Sequence, residues 1–209
     1  MPMPSNSVMS PLALVGPQFN ADSTSLRVKL PFSWATSTIF ARSWERASCG
    51  AGTDGWAELE EAGKLKAVIT QNIDNLHQMA GSKKVLELHG SVYRNYCMKC
   101  HRFYDIRHIH SSDGVPLCEC GGIVKPDVVL YGEQLDWSVV DEAVKSIMDA
   151  DMMIVGGTSL SVYPAASLVD YYQGDRLFLI NKSSTPYDGR ADAIINGSIG
   201  EIMQSVIRA

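Results

Sequence analysis

The sequence predicts an α/β protein: a doubly wound parallel sheet with a small inserted zinc-ribbon module. Three observations carry that reading. Short unbroken apolar runs, such as Ala67-Val68-Ile69, Met152-Met153-Ile154-Val155 and Leu177-Phe178-Leu179-Ile180, have strand length. They lack the alternation of a sheet with one wet face, so both faces are expected to be covered. Stretches of helical period lie between them, the arrangement that winds strands into parallel order. Two close cysteine pairs, Cys97 with Cys100 and Cys118 with Cys120, interrupt the pattern once.

Residues 1–55 stand apart, rich in Ser, Thr and Pro, with Phe19, Phe32, Trp34, Phe40 and Trp44 on no regular period. They are expected to form a divergent or poorly ordered segment, with at most a short strand over 26–30. From Trp56 the texture changes. Residues 56–62 read as a helix stopped by Gly63. Residues 67–70 read as a buried strand, and 85–88 as a second, short one. Val128-Val129-Leu130 is a short strand leading into Tyr131-Gly132-Glu133. Residues 138–149 form a helix whose apolar face is Val140, Val144, Ile147 and Met148, with Ser138 and Asp141 as a capping box. The strand over 152–155 exits through Gly156-Gly157-Thr158-Ser159, and Pro164 suits the first turn of a helix carrying Leu168 and Val169. The strand over 177–180 exits at Asn181-Lys182. A last strand near 193–195 precedes a helix with Ser198 and Glu201 as capping box and Ile199, Ile202, Met203, Val206 and Ile207 as its stripe. The domain division is therefore 1–55, a sheet domain from 56–96 and 123–209, and a zinc-binding module over 97–122.

Composition excludes several classes. Apolar content of 45% and charged content of 20% are those of an ordinary globular protein. No apolar run approaches the roughly 20 residues that cross a bilayer, and no basic region precedes the short patch Leu12-Ala13-Leu14-Val15. Membrane association and a secretory signal are not expected. A net charge of −5 lacks the basic face of a nucleic-acid binder. Of five cysteines, four fall within 24 residues. Without a signal peptide, such a cluster reads as a metal site in a cytoplasmic protein rather than as disulfides.

The polar residues that carry chemistry sit where strands end. Gln71, Asn72 and Asp74 follow the strand over 67–70, Gly157, Thr158 and Ser159 follow 152–155, and Asn181 and Lys182 follow 177–180. Ligands bind at such exits in open α/β sheets, glycine allowing close backbone approach and hydroxyls and amides reading phosphate and ribose. Taken alone, Gly157-Thr158-Ser159 is also an ordinary strand-to-helix turn. His89, in Leu88-His89-Gly90, supplies a group able to accept a proton near neutral pH. In the cysteine module, Cys97-Met98-Lys99-Cys100 is the tight thiolate pair of tetrahedral zinc. Cys118-Glu119-Cys120 has one intervening residue instead of two, with Gly121-Gly122 giving the backbone room to compensate. His101, His108 and His110 are alternative ligands. Four thiolates would close the coordination sphere, so the metal's role is structural.

Thr70-Gln71-Asn72-Ile73-Asp74-Asn75-Leu76-His77 and Leu88-His89-Gly90 together resemble the signature of the sirtuins, NAD-dependent protein-lysine deacylases, most closely the bacterial ones. The resemblance runs from Trp56 to Ala209. It implies a Rossmann-like sheet binding NAD, a smaller module holding one structural Zn2+, and an acyl-lysine protein or peptide substrate entering between them. By resemblance, Gln71 contacts the nicotinamide ribose and Asn72 and Asp74 line the nicotinamide pocket. Gly157, Thr158, Ser159, Asn181 and Lys182 complete the cofactor site. His89 is the general base. Val129, Tyr131, Gly132 and Glu133 form the segment that pairs with the substrate backbone as an added strand. His77 is structural in the motif.

Two family segments have no counterpart: the Gly-Ala-Gly-x-Ser turn after the first strand and Gly-x-Pro-Asp-Phe-Arg. Cys49-Gly50-Ala51-Gly52-Thr53 is similar to the first but stands too near Thr70. The resemblance thus implies a sheet without its first strand. The alternative to a deacetylase is a catalytically silent, truncated remnant that binds zinc and perhaps peptide.

Overall fold

The computed structural model describes Leu12–Val15 and residues 51–207, with side chains from 55 to 206. Strands β1 (Leu12–Val15), β2 (Leu65–Thr70) and β3 (Val85–Glu87) belong to a six-stranded sheet. So do β7 (Met152–Gly156), β8 (Leu177–Asn181) and β9 (Ala193–Asn196), and every pairing in the sheet is parallel. Their order is β3-β2-β1-β7-β8-β9. Winding runs one way from β1 through β2 and β3 and the other way through β7, β8 and β9. The switch point therefore lies between β1 and β7, where such sheets open a ligand crevice.

Successive residues of a strand face opposite sides, and this explains the unbroken apolar runs. Ala67 and Ile69 face one core with Met153, Val155, Leu177 and Leu179. Val68 faces the other with Ile180, and Met152 and Ile154 pack against that second core. The first core is roofed by helix α4 (Trp137–Met148) through Val140, Ala143 and Ile147, and by a 3-10 helix (Ala165–Tyr171) through Leu168 and Val169. The second is roofed by helix α1 (Ala51–Glu61) through Trp56 and by helix α5 (Ile199–Ile207) through Met203. Burying one such side chain stabilises by about 1.5–3 kcal/mol.

A second sheet is antiparallel. Strands β4 (Gly90–Cys97), β5 (Phe103–Tyr104) and β6 (Val124–Val128) lie in the order β5-β4-β6. Helix α3 (Ile106–Ser111) packs on them, capped by Asp105, which accepts from the backbone of Arg107 and His108. The four clustered cysteines sit at the far end of this sheet. It runs from Gly90 to Val128, bracketing the 97–122 segment picked out by the cysteines.

Several expectations are corrected. The first strand is present: Leu12–Val15 pairs with β2 on one side and β7 on the other. The sequence showed an apolar patch there, but nothing local identified its neighbours. The helix expected from Trp56 begins at Ala51, so Ala51-Gly52-Thr53 lies in a helical turn. β6 ends at Val128, leaving Val129 and Leu130 in the following loop. The cap of α4 is Asp136, whose Oδ1 accepts from Ser138 N at 2.9 Å and Oγ at 2.6 Å, not a Ser138–Asp141 box. Met148 and Val206 face solvent, and Ala143 takes the inward place expected of the larger residue. The strand suggested over 26–30 and the scattered aromatics lie outside the described residues. Among the described residues, no helix is long and apolar enough to cross a membrane.

Candidate functional site

The exits of β2, β7 and β8 lie along one edge of the parallel sheet. With β1 between β2 and β7, strand spacing sets the Gln71 and Gly157 exits about 10 Å apart, and β8 one spacing farther.

Local hydrogen bonds build the turn after β2. Thr70 Oγ1 accepts from Asn72 N at 3.0 Å, and Asp74 Oδ1 accepts from Leu76 N at 3.1 Å. Asn75 then takes the left-handed conformation, φ 59°, and starts the short helix α2 (Leu76–Met79). Gln71, Asp74 and His77 are buried. Burial pushes the Asp74 carboxyl above its usual range, against the bond from Leu76. Asn72 Oδ1 is buried without a hydrogen-bond partner among the described residues. An unmet acceptor costs about 1–3 kcal/mol, so this oxygen suits a ligand's donor. Burial also holds the His77 imidazole down at about 4, consistent with a neutral structural residue.

His89 follows β3 by two residues and is half-buried. Its Nδ1 lies 3.0 Å from the Gln71 carbonyl oxygen. A carbonyl only accepts, so Nδ1 carries the proton and Nε2 is left as acceptor. Burial lowers the imidazole pKa, opposed by the bond to Gln71. The ring is therefore a neutral base held in one tautomer. Gly90 makes the next step possible. Its φ is +74°, and a Cβ there would lie 1.9 Å from the Asp127 carbonyl oxygen. Only glycine lets β6 pass this close. The His89 carbonyl accepts from Val129 N at 3.1 Å, so the base stands where the two sheets meet.

At the β7 exit, Gly157 has φ +63° and donates to the Ile180 carbonyl at 3.0 Å. Asn181 Nδ2 donates to the Thr158 carbonyl at 2.5 Å, tying the β7 and β8 exits together. Thr158 and Asn181 are buried, whereas Ser159 and Lys182 are exposed. The Ser159 and Ser161 hydroxyls lie 2.6 Å apart.

After β6, Val129 and Leu130 are half-buried and Tyr131 is fully exposed. Glu133 closes a turn here. Its N–H donates to the Leu130 carbonyl at 2.9 Å, and its Oε2 accepts from Leu130 N at 2.9 Å and Lys125 Nζ at 3.2 Å. These bonds hold the Glu133 carboxyl below its usual range.

The sulfurs of Cys97, Cys100, Cys118 and Cys120 all lie within 4.8 Å of one another. Cys97 Sγ is 3.5 Å from Cys120 Sγ, and Cys100 Sγ is 3.5 Å from Cys118 Sγ. Tetrahedral zinc with bonds of about 2.3 Å places its sulfurs about 3.8 Å apart, so the four residues fit that ion. Backbone N–H groups of Lys99 and Cys100 point at Cys97 Sγ, and that of Cys120 at Cys118 Sγ, favouring thiolates. Gly122 is needed for clearance: a Cβ there would sit 2.7 Å from Cys97 Sγ. His108 bonds the Leu117 carbonyl instead. Sequence reasoning passed over Tyr104, whose hydroxyl donates to Cys118 Sγ at 3.1 Å, and Lys125. Neither belongs to a motif, and only the folded sheet brings them to their partners.

The Sir2 family model matches residues 14–164. An NAD-dependent protein deacetylase of Clostridium perfringens is 63% identical over 153 residues, covering 72% of this chain and 63% of the relative. One from Cutibacterium acnes is 49% identical over 164 residues, covering 78% of this chain and 67% of the relative. The chain thus spans somewhat under two thirds of the length of the clostridial relatives. Among solved structures, a Sir2–p53 peptide–NAD+ complex superposes with a TM-score of 0.79 at 35% identity, covering 95% of this chain and 93% of its own. A Sir2 homologue mutant with 2′-O-acetyl ADP ribose gives 0.82 at 32% identity, covering 95% and 91%. With a doubly wound sheet, a four-cysteine module and these matches, the chain belongs to the Sir2 family.

Proposed function

We propose that this protein is an NAD-dependent protein-lysine deacetylase of the cytoplasm, with His89 as its general base. The observation that carries the reading is the His89 ring: Nδ1 fixed on the Gln71 carbonyl, Nε2 left to accept, and the backbone carbonyl bonded to Val129 N just after β6. Bound NAD would supply an anomeric carbon for attack by the acyl oxygen as nicotinamide leaves, and a ribose hydroxyl that receives the acyl group when the lysine amine departs. His89 Nε2 takes the proton from a ribose hydroxyl during that transfer. Gln71 contacts the same ribose. Asn72 Oδ1 accepts from the nicotinamide amide, and Asp74 lines that pocket beside it. Gly157, Thr158, Ser159, Asn181 and Lys182 hold the phosphates and the adenosine side. The backbone at Val129, with the turn over Tyr131, Gly132 and Glu133, pairs with an acyl-lysine peptide as an added strand. Cys97, Cys100, Cys118 and Cys120 hold a structural zinc. On this reading Leu12–Val15 and the helix from Ala51 join 56–96 and 123–209 in the cofactor domain, with 97–122 the zinc module. No role for nucleic acid or membrane is proposed.

A second reading has one specific observation behind it. The stretch after β1 contains neither Gly-Ala-Gly-x-Ser nor Gly-x-Pro-Asp-Phe-Arg. On that reading the chain is a silent relative that binds zinc and peptide. Mass spectrometry of an acetyl-lysine peptide, with and without NAD, separates the two. NAD-dependent loss of the acetyl group, abolished in His89→Ala, is the expected result. A zinc-loaded protein that leaves the peptide unchanged overturns the enzymatic reading.

A further inference from the structure

We propose that Arg94 is a positioning residue, strapping the strand that delivers His89 to the strand that delivers Val129. The inference rests on the roles just given to those two residues. Arg94 sends two different nitrogens to two different carboxylates: Nη1 lies 2.5 Å from Glu87 Oε2, and Nε lies 2.9 Å from Asp127 Oδ2. Glu87 ends β3, two residues before His89. Asp127 is in β6, two residues before Val129. The guanidinium therefore closes a ring of contacts, returning from Val129 to His89 through the 3.1 Å backbone bond.

Three features make this arrangement specific. The Glu87 side chain is 6% exposed, so its charge needs a cation at this place, whereas Asp127 is 46% exposed and forms the adjustable arm. The β4–β6 ladder slips between Ser91 and Asn95: Ser91 faces Asp127, and Asn95 faces the adjoining Pro126. Arg94 lies in that bulge, the device by which a strand re-aims a side chain. Finally, the planar fork of arginine fixes both directions at once, which a lysine ammonium does not. A misplacement of about 1 Å between base and substrate can cost about a hundredfold in rate, so a rigid tie here has catalytic consequences.

The test compares the 209-residue, zinc-loaded wild type with Arg94→Met and Arg94→Lys. Kinetics are measured separately against acetyl-lysine peptide and NAD, and the His89 ring is followed by 15N-edited NMR. Arg94→Met is expected to raise the peptide KM and lower kcat about tenfold, with the NAD KM little changed. The single Nδ1–H tautomer of His89 is expected to give way to a mixture, and Arg94→Lys to restore only part of each loss. An unchanged peptide KM and an unchanged His89 ring in Arg94→Met overturn the proposal, and so does full restoration by lysine. A uniform loss of active protein with unaltered KM values also overturns it, since that is what a purely structural ion pair gives. Should the wild type show no turnover, the deacetylase reading fails by itself. The His89 tautomer and peptide affinity by fluorescence anisotropy then decide the strap.

Discussion

Replacing Gly90 by alanine tests how closely the two sheets are joined beside His89. Two costs add. A residue with a side chain at φ +74° meets the left-handed penalty, about 1–2 kcal/mol. Its Cβ would also stand 1.9 Å from the Asp127 carbonyl oxygen and 2.9 Å from the carbonyl carbon, so backbone must move. Overpacking of that kind costs about 1–3 kcal/mol. The expected destabilisation is about 3 kcal/mol, which at about 2–3 kcal/mol per molar urea lowers the unfolding midpoint by about 1 M. Tryptophan fluorescence reports it, since Trp56 is almost fully buried. Gly114→Ala is the internal control: φ there is +86°, with nothing within 4 Å of a built Cβ. Its midpoint is expected to fall by only about half as much, the left-handed penalty alone. Equal shifts in the two variants would refute the reasoning, because the approach of β6 would then carry no energetic weight.

The other expectations concern charge and metal. His77 is held at about 4, against 6.5 for an exposed imidazole. The unfolded chain takes up a proton below pH 6.5 that the folded protein resists until about pH 4. Stability is therefore full above 6.5 and falls through that window, by about 3 kcal/mol. Urea midpoints from pH 7 to 4 should flatten in His77→Gln, and parallel curves would remove His77 as the cause. His89 is also lowered by burial, so the acid limb of kcat/KM is expected below the ordinary imidazole range. A limb at or above that range would assign the titration to another group. Cys118→Ser is expected to lose bound zinc in a chromogenic chelator assay, because three thiolates leave the tetrahedral set open. Retention of one zinc per chain would show that another residue completes the site.

Much of the candidate site was legible because its signals are local. Gln71, Asn72 and Asp74 sit three or fewer residues apart after an apolar run, and the cysteine pairs declare themselves by spacing. Other parts lay beyond sequence reading because their partners are remote. Asp136 displaced the expected cap of α4 by two residues, since a serine and an aspartate in one turn compete for the same N–H groups. Met148 satisfied helical period yet faces solvent, because α4 presents its neighbouring stripe through Ala143 and Ile147 to the sheet.

The sequence by itself determined the strand and helix alternation, the four-cysteine module and the residue types at each strand exit. These follow from periodicity, turn chemistry and ligand spacing, which act between residues close in the chain. Only the tertiary structure decided that Leu12–Val15 stands in the middle of the sheet, between strands that begin at Leu65 and Met152. It alone decided which nitrogen of His89 carries the proton and that Arg94 bridges Glu87 and Asp127. Each of these depends on which distant backbone or carboxylate arrives at hydrogen-bond distance. That is fixed by how all the apolar faces pack at once, a property no local window of the chain contains.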